Sequence, residues 1–333
     1  MVDDMADGGT EQGRAVGARL RGRRAPVTRA PATVARDAAA HRLDGRPQIS
    51  VVIPARDAAR WIDAQLGALA CQEVPVPWEV VVADNGSTDD TVARAEAWAD
   101  RLPVRVVDAS GRPGPNHARN RGTAAARGDL LLYCDADDVV QPGWVTAFWC
   151  SRHEWDLAGG WVDGETLNDE RTRVHHPDGR ASRGLATIGW LRFFMGCNFA
   201  VHRWVHAALG GFDESFVGGG DDIDFAFRAQ LTGWRLGYVP EAVVAYRLRG
   251  SLRDALRQYY RYGYYRPHLY RKFRAAGMPR RSLRHAVRTY GLLLTGAWRL
   301  LDAHDRARWA VQAAFVVGML TGSLHDHTLY LSE

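Results

Sequence analysis

Asp135, Asp137 and Asp138 place three carboxylates within four residues, directly after the run Asp129–Cys134. Carboxylates at i and i+2 on a turn can converge on one hard divalent cation, Mg²⁺ or Mn²⁺, whose other positions go to water and phosphate oxygens. A cation held there would neutralise the charge that grows on a departing diphosphate. The same residues also suit a solvated acidic turn, and a D-x-D pattern alone does not decide between the two.

Two further polar clusters offer related chemistry. In Asp84-Asn85-Gly86-Ser87-Thr88-Asp89, a carboxylate can accept from a base N–H, while Gly86 permits a tight turn. Ser87 or Thr88 could instead cap the helix expected to run through Trp98. Asp221 and Asp222 follow Gly218-Gly219-Gly220. One of them could serve as a general base toward an acceptor hydroxyl. Acidic residues in a helix's first turn are also favoured by its dipole, with no chemistry required. The paired histidines His175/His176 and His325/His327 lie in polar or terminal stretches, where solvation is the ordinary state, and no role is assigned to them.

These clusters need elements that bring them together. Residues 49–54, 79–83, 104–107 and 129–134 are short, apolar and rich in β-branched residues, as buried strands are. Helical spacing separates them at 58–71, from the capping turn to 98, and at about 115–127. Alternating strands and helices imply a parallel, doubly wound sheet, in which ligands bind beyond the carboxyl ends of the strands. Three of the four strands end there in polar clusters: Pro54-Ala55-Arg56-Asp57, Asp84–Asp89 and Asp135–Asp138. A helix is expected from Asp222 to Thr232. Further helices are expected at about 251–274, 281–303 and 306–323.

Composition narrows the class. The chain has 333 residues, 46% hydrophobic and 24% charged, enough for a sizeable core plus an appendage. Of its net +5, the basic part is concentrated: 16 Lys/Arg and three acids lie between Arg247 and Arg308. Such a segment suits an anionic partner or, as simply, a set of solvated helix faces. Lys272 is the only lysine and is assigned no role. Four scattered cysteines without a C-x-x-C fit a reducing compartment rather than zinc or disulfides. Residues 1–47 carry no apolar leader and read as a flexible tail. The most apolar stretch, Trp309–Leu324, is too short and too interrupted to span a bilayer.

In order along the chain stand S-V-V-I-P-A-R-D (50–57), D-N-G-S-T-D-D-T (84–91), A-R-N-R-G (118–122), C-D-A-D-D (134–138), G-C-N-F-A-V (196–201), L-G-G-F-D-E (209–214) and G-G-G-D-D-I-D (218–224). Together they resemble a family 2 glycosyltransferase over about residues 48–246. The resemblance implies a GT-A fold: an α/β, doubly wound mixed sheet, mainly parallel, with a helical C-terminal extension. It divides the chain into a tail (1–47), a catalytic domain (48–246) and a basic helical region (247–333).

The roles it implies are specific. Pro54, Ala55, Arg56, Asp84 and Asn85 would line the nucleotide, with Asp84 on the base, and Arg119, Asn120 and Asp135 would complete the donor pocket. Asp137 and Asp135 would hold Mn²⁺ or Mg²⁺, and Asp138 has no separate role. Asp222 would be the catalytic base, with Asp221 in place of the family's usual Glu. Asp57 stands where Asn is common, and Tyr246 near where many members carry a metal-ligating His. The stretch Trp190–Asn198 would meet the acceptor by its family position, or form core by its apolarity. The Q-x-x-R-W motif of processive synthases is absent, which favours transfer of a single sugar; the mechanism the resemblance implies is one in-line displacement, which inverts the anomeric configuration.

Implied partners are a nucleotide-sugar donor, UDP-linked by preference, and a glycan, lipid-linked or small-molecule acceptor. The interleaved Arg and Tyr of 251–274 resemble the C-terminal helix of envelope-polysaccharide members and suit a membrane interface as well as an arginine-rich cover on the catalytic domain. They also suit single-stranded nucleic acid, but no nucleic-acid module accompanies them and none is expected to bind. The implied location is cytoplasmic, peripheral to the inner face of the membrane. Two other readings differ in kind. A degenerate protein could bind sugar nucleotides or scaffold without turnover. A nucleotidyltransferase would need a glycine-rich phosphate loop after the first strand, and residues 54–60 have no glycine.

Overall fold

The computed structural model describes residues 46–176, 183–280, 283–297 and 302–330. Up to residue 45, the expected tail lies outside the described residues.

The first half alternates as expected: β1 (Ile49–Ala55), α1 (Ile62–Ala70), β2 (Trp78–Asp84), α2 (Thr91–Glu96), β3 (Val104–Asp108), α3 (Pro115–Ala125) and β4 (Leu130–Cys134). Next come β5 (Val139–Val140), α4 (Trp144–Ser151), β6 (Leu157–Asp163) and a single turn, α5 (Glu170–Arg173). A small hairpin, β7 (Ala186–Thr187) and β8 (Arg192–Phe193), precedes β9 (Asn198–His202), α6 (Arg203–Ala208), α7 (Asp221–Leu231) and β10 (Leu236–Ala245). Three helices close the chain: α8 (Leu252–Phe273), α9 (Leu283–Thr295) and α10 (Ala303–His325).

Eight strands form one sheet in the order β3-β2-β1-β4-β9-β6-β10-β5. The β3-β2-β1-β4 half is parallel. β9 then enters antiparallel between β4 and β6, and β5 runs antiparallel to β10. This is the mixed, mainly parallel GT-A arrangement with a helical C-terminal region.

Both faces of the sheet are covered, so the strands are apolar throughout rather than alternating. On one face Ile49, Val51 and Ile53 pack with Leu66, Leu69, Trp144 and Phe148. On the other, Val52, Leu131 and Tyr133 meet Phe199, Phe225 and Phe227. The rings of Tyr133 and Phe199 stack at 4.5 Å, and those of Phe199 and Phe194 at 4.3 Å.

The helix after β2 starts later than the capping chemistry suggests. Ser87 and Thr88 do not cap it, because they reach across to the loop after β1. The Asp57 N–H donates to Ser87 Oγ (3.0 Å), and the Thr88 N–H donates to Asp57 Oδ1 (2.8 Å). Asp57 has φ +48°. Asp and Asn tolerate that left-handed region better than most residues, which accounts for the residue type at this corner.

α8 and α10 cross at backbone contact. A Cβ on Gly263 would lie 1.9 Å from the Phe315 carbonyl oxygen. One on Gly318 would lie 2.0 Å from that of Tyr260, and one on Gly322 2.1 Å from that of Tyr264. Only glycine permits so close an approach. Among the described residues, no helix is long and apolar enough to cross a membrane.

Candidate active site

The strand order explains why the polar clusters meet. β1 and β2 are in register, so Ala55 lies opposite Asp84 at their carboxyl ends. β4 neighbours β1 on the other side and ends at Cys134, which puts Asp135 at the same edge. β9 runs against β4 with Asn198 opposite Cys134, so Gly196, just ahead of β9, arrives beside Asp135.

Arg119, from the middle of α3, ties these pieces together. Its buried guanidinium donates to Asp221 Oδ2 (2.5 Å), Asp135 Oδ1 (3.2 Å), the Gly196 carbonyl (3.2 Å) and Asn116 Oδ1 (3.2 Å). Burial works against its charge, but Asp221, Asp135 and Asp222 outweigh that and hold it firmly protonated. The rigid five-donor fork of arginine suits this bridging task, where a lysine would meet fewer partners.

Asp222 lies in the first turn of α7, after the glycine loop. Its Oδ2 accepts from the Gly196 N–H (3.0 Å) and its Oδ1 from the Ile223 N–H (2.8 Å). Burial, with the like charge of Asp221, pushes its carboxyl up to about 6, against the pull of those two N–H groups and Arg119. Asp135 is likewise raised to about 6, chiefly by burial, which Arg119 opposes. Carboxylates tuned toward neutrality beside a fixed cation are the raw material of acid–base catalysis.

The acidic turn is compact. Ligand oxygens of Asp135, Asp137 and Asp138 lie within 4.8 Å of one another. Asp138 is fully buried and accepts from the Arg247 N–H (2.8 Å) through Oδ1, whereas its Oδ2 has no hydrogen-bond partner. Burial first, then Asp137 and Asp135, raise the Asp138 carboxyl well above the usual range. An all-oxygen donor set with a buried, unpartnered carboxylate oxygen fits a hard divalent cation. Asp137 Oδ2 accepts from Arg249 Nη1 at 2.6 Å.

The expected donor side is built as follows. Pro54 and Ala55 end β1 and Arg56 follows it, with its side chain half exposed and 3.8 Å from Asp57. The Asp84 carboxylate accepts from the Ser87 N–H. Asn85 spends its side chain inside the protein, donating to the carbonyls of Ala109 and Arg112 and accepting from the Gly114 N–H. Asn120 does the same for the loop after α6, with the backbone of Phe212 and the carboxylate of Glu214. Both asparagines therefore shape loops through protein contacts.

Several expectations are refined. Trp190 packs its ring against Phe227 and Phe273, and Phe193, Phe194 and Asn198 are buried. Of the stretch 190–198, Gly196 is the residue that touches Asp222. His176 is buried rather than solvated, and its Nε2 meets the Arg249 carbonyl at 3.2 Å. Tyr246 is buried beside Gln258 rather than on the acidic turn, where Arg247 and Arg249 stand instead. Lys272, assigned nothing, pairs with Asp213 (2.6 Å) and Asp224 (2.5 Å). Gly196, Arg247 and Arg249 carry no individual sequence signal. Only their motif neighbourhoods could have drawn attention to them.

The family model described as "Glycosyl transferase family 2" matches residues 50–209, and "Glycosyl transferase family group 2" matches residues 130–324. Among curated proteins, the O-antigen biosynthesis protein RfbC of Myxococcus xanthus is 29% identical over 230 residues, covering 68% of this chain and 18% of that protein. Validoxylamine A glucosyltransferase of Streptomyces hygroscopicus subsp. jinggangensis is 30% identical over 223 residues, covering 56% and 52%. The chain thus spans about half of one relative and under a fifth of the other. The mannosyltransferase PcManGT of Pyrobaculum calidifontis, solved with GDP-Man and Mn²⁺, superposes with a TM-score of 0.58 at 21% identity over 93% of both chains, a likeness of fold.

Proposed function

This chain belongs to glycosyl transferase family 2, and from that membership we propose that it is an inverting, metal-dependent enzyme moving one sugar from a nucleotide-sugar donor to an acceptor hydroxyl. The observation that carries the reading is the chain of contacts from Asp222 through Gly196 and Arg119 to Asp135. It joins a candidate base to a candidate metal turn through one buried cation.

In this reading residues 48–246 form the catalytic domain. Asp222 removes the proton of the acceptor hydroxyl. The hydroxyl oxygen attacks the anomeric carbon, and the bond to the diphosphate breaks with its electron pair leaving on the diphosphate. One displacement inverts the configuration without a covalent intermediate. Asp135, Asp137 and Asp138 would hold Mn²⁺ or Mg²⁺, which supplies positive charge against the leaving diphosphate. Asp84 and the β1 end, Pro54 to Arg56, would receive the nucleotide, for which a uridine base is favoured. Arg119 stays protonated and keeps Asp135 and Asp221 from repelling one another apart.

The acceptor we propose is a hydroxyl of an envelope glycan, a lipid-linked sugar or a small metabolite. The two curated relatives support that range, one named for O-antigen biosynthesis and one for glucosylating validoxylamine A. Membrane contact through the basic C-terminal helices is part of the same proposal, supported by the arginines of α8 and by exposed Leu292, Leu294 and Leu324 on α9 and α10.

A panel of sugar nucleotides with Mn²⁺ or Mg²⁺, scored for nucleoside diphosphate release, tests the reading. Asp137→Asn should abolish release and chelation should stop it. Undiminished turnover in the variant would remove the metal assignment.

A further inference from the structure

The segment that follows β10 lies as a strap over the acidic turn, and its backbone is pinned at every residue. The Tyr246 N–H donates to the Asp163 carbonyl (2.7 Å), and the Tyr246 carbonyl accepts from Asn168 Nδ2 (2.7 Å). The Arg247 N–H donates to Asp138 Oδ1 (2.8 Å), and the Leu248 N–H donates to Asn168 Oδ1 (2.9 Å). The Arg249 carbonyl meets His176 Nε2 (3.2 Å). Arg247 is fixed as well at its side chain, where Nε donates to the Asp137 carbonyl (2.8 Å) and the guanidinium covers the Trp61 ring at 4.0 Å.

The Arg249 side chain differs. It touches the turn through one hydrogen bond, Nη1 to Asp137 Oδ2 at 2.6 Å, and is 42% exposed, against 6% for the bridging Arg119. Burial opposes its charge, but Asp137 more than restores it, so the group is a permanent cation. It therefore sits on the carboxylate assigned above to the metal. A guanidinium and a divalent cation repel one another, and both would draw on the Asp137 carboxylate, whose Oδ2 already pairs with Arg249. A cation arriving alone would compete with Arg249 for the Asp137 carboxylate and weaken that pair. A cation arriving with a diphosphate offers that guanidinium a new anion, which its fork of donors can grip in two places.

We propose that Arg249 is a built-in counter-ion for Asp137 that passes to the diphosphate of the donor, so that cation and nucleotide bind this site cooperatively. The inference rests on the glycosyltransferase reading and adds to it a donor-binding residue and an order of assembly.

Titration calorimetry on the full chain tests it without turnover. The probes are Mn²⁺ alone, UDP or GDP alone, and each diphosphate at saturating Mn²⁺. The wild type should bind Mn²⁺ at least about 5-fold more tightly when diphosphate is present, the lower end of ordinary coupling. In Arg249→Gln, Mn²⁺ alone should bind about 5-fold more tightly than in wild type, and diphosphate with Mn²⁺ about 10-fold more weakly. A damaged fold would weaken both, so the gain in Mn²⁺ affinity cannot arise from misfolding. Arg249→Lys keeps the charge and should fall between the two, which provides a second variant should Arg249→Gln fail to fold. Unchanged or weaker Mn²⁺ binding in the variants, or unchanged diphosphate binding, overturns the proposal. A wild type that binds neither Mn²⁺ nor either diphosphate overturns the glycosyltransferase reading itself.

Discussion

The N–H of Gly196 donates to Oδ2 of Asp222 across 3.0 Å, so a residue two positions ahead of β9 orients a carboxylate in the first turn of α7. The other oxygen is held by the Ile223 N–H. With both oxygens tied to backbone, the carboxylate has one orientation, which is what a base needs if it is to meet a hydroxyl in line with a reacting carbon.

Asp222→Asn keeps the shape and removes the basicity. It should lower kcat by about 10²–10⁴-fold, the usual contribution of a general base, with nucleoside diphosphate affinity unchanged. Turnover and calorimetry together decide this. If affinity falls as far as kcat does, Asp222 binds the donor rather than activating the acceptor.

The rate should rise with pH through about 6 and level off above it. Burial and Asp221 raise the Asp222 carboxyl to about 6, and only its ionised form can take a proton. Asp221→Asn removes the like charge and should move the acid limb to lower pH. A kcat profile whose limb lies near 4, the ordinary carboxylate value, contradicts the assignment.

Lys272 ties α8 to the loop that presents Asp222. Its Nζ is 2.6 Å from Asp213 and 2.5 Å from the fully buried Asp224. Partial burial would raise the Asp213 carboxyl, but Lys272 and Ser215 hold it far below the usual range. A depressed carboxyl contributes stability above its unfolded value, roughly 3.9, and that contribution disappears as pH falls through the folded value. Lys272→Met should therefore cost about 1–3 kcal/mol at pH 7, because Asp213 and Asp224 each lose a cation while Asp224 keeps Arg228 at 2.8 Å, and progressively less below pH about 4. Urea unfolding at both pH values measures it, and an equal loss at both counts against the Asp213 share.

Gly318→Ala places a methyl group 2.0 Å from the Tyr260 carbonyl oxygen and should separate α8 from α10 at a cost of about 1–3 kcal/mol. Gly291, in α9, has nothing within 4 Å of its added Cβ. Gly291→Ala should leave stability unchanged or raise it by up to about 1 kcal/mol. Thermal melts of the two variants compare them directly, and equal melting temperatures would deny the close crossing.

Much of the fold could be read along the chain. The four parallel strands and the helices between them announce themselves by apolar runs and helical spacing, both local properties. The start of α7 and the long span of α8 were legible for the same reason. The start of α2 was not, since Ser87 and Thr88 are good caps by type and were diverted by Asp57 some thirty residues away. β9 was hidden inside an apolar block, because a strand buried on both sides carries no alternation to mark its ends or direction.

Residue type and order by themselves determined the chemical inventory: three acidic clusters, each at the end of a strand or the start of a helix, in the sequence of a known family. Tertiary structure alone decided which of these groups meet. Arg119 reaches Asp221 across 102 positions, and Arg249 reaches Asp137 across 112. Contacts at that separation depend on strand order and on the antiparallel entry of β9. Neither leaves a period in the sequence, because a charge reads the same whether it faces solvent or a partner.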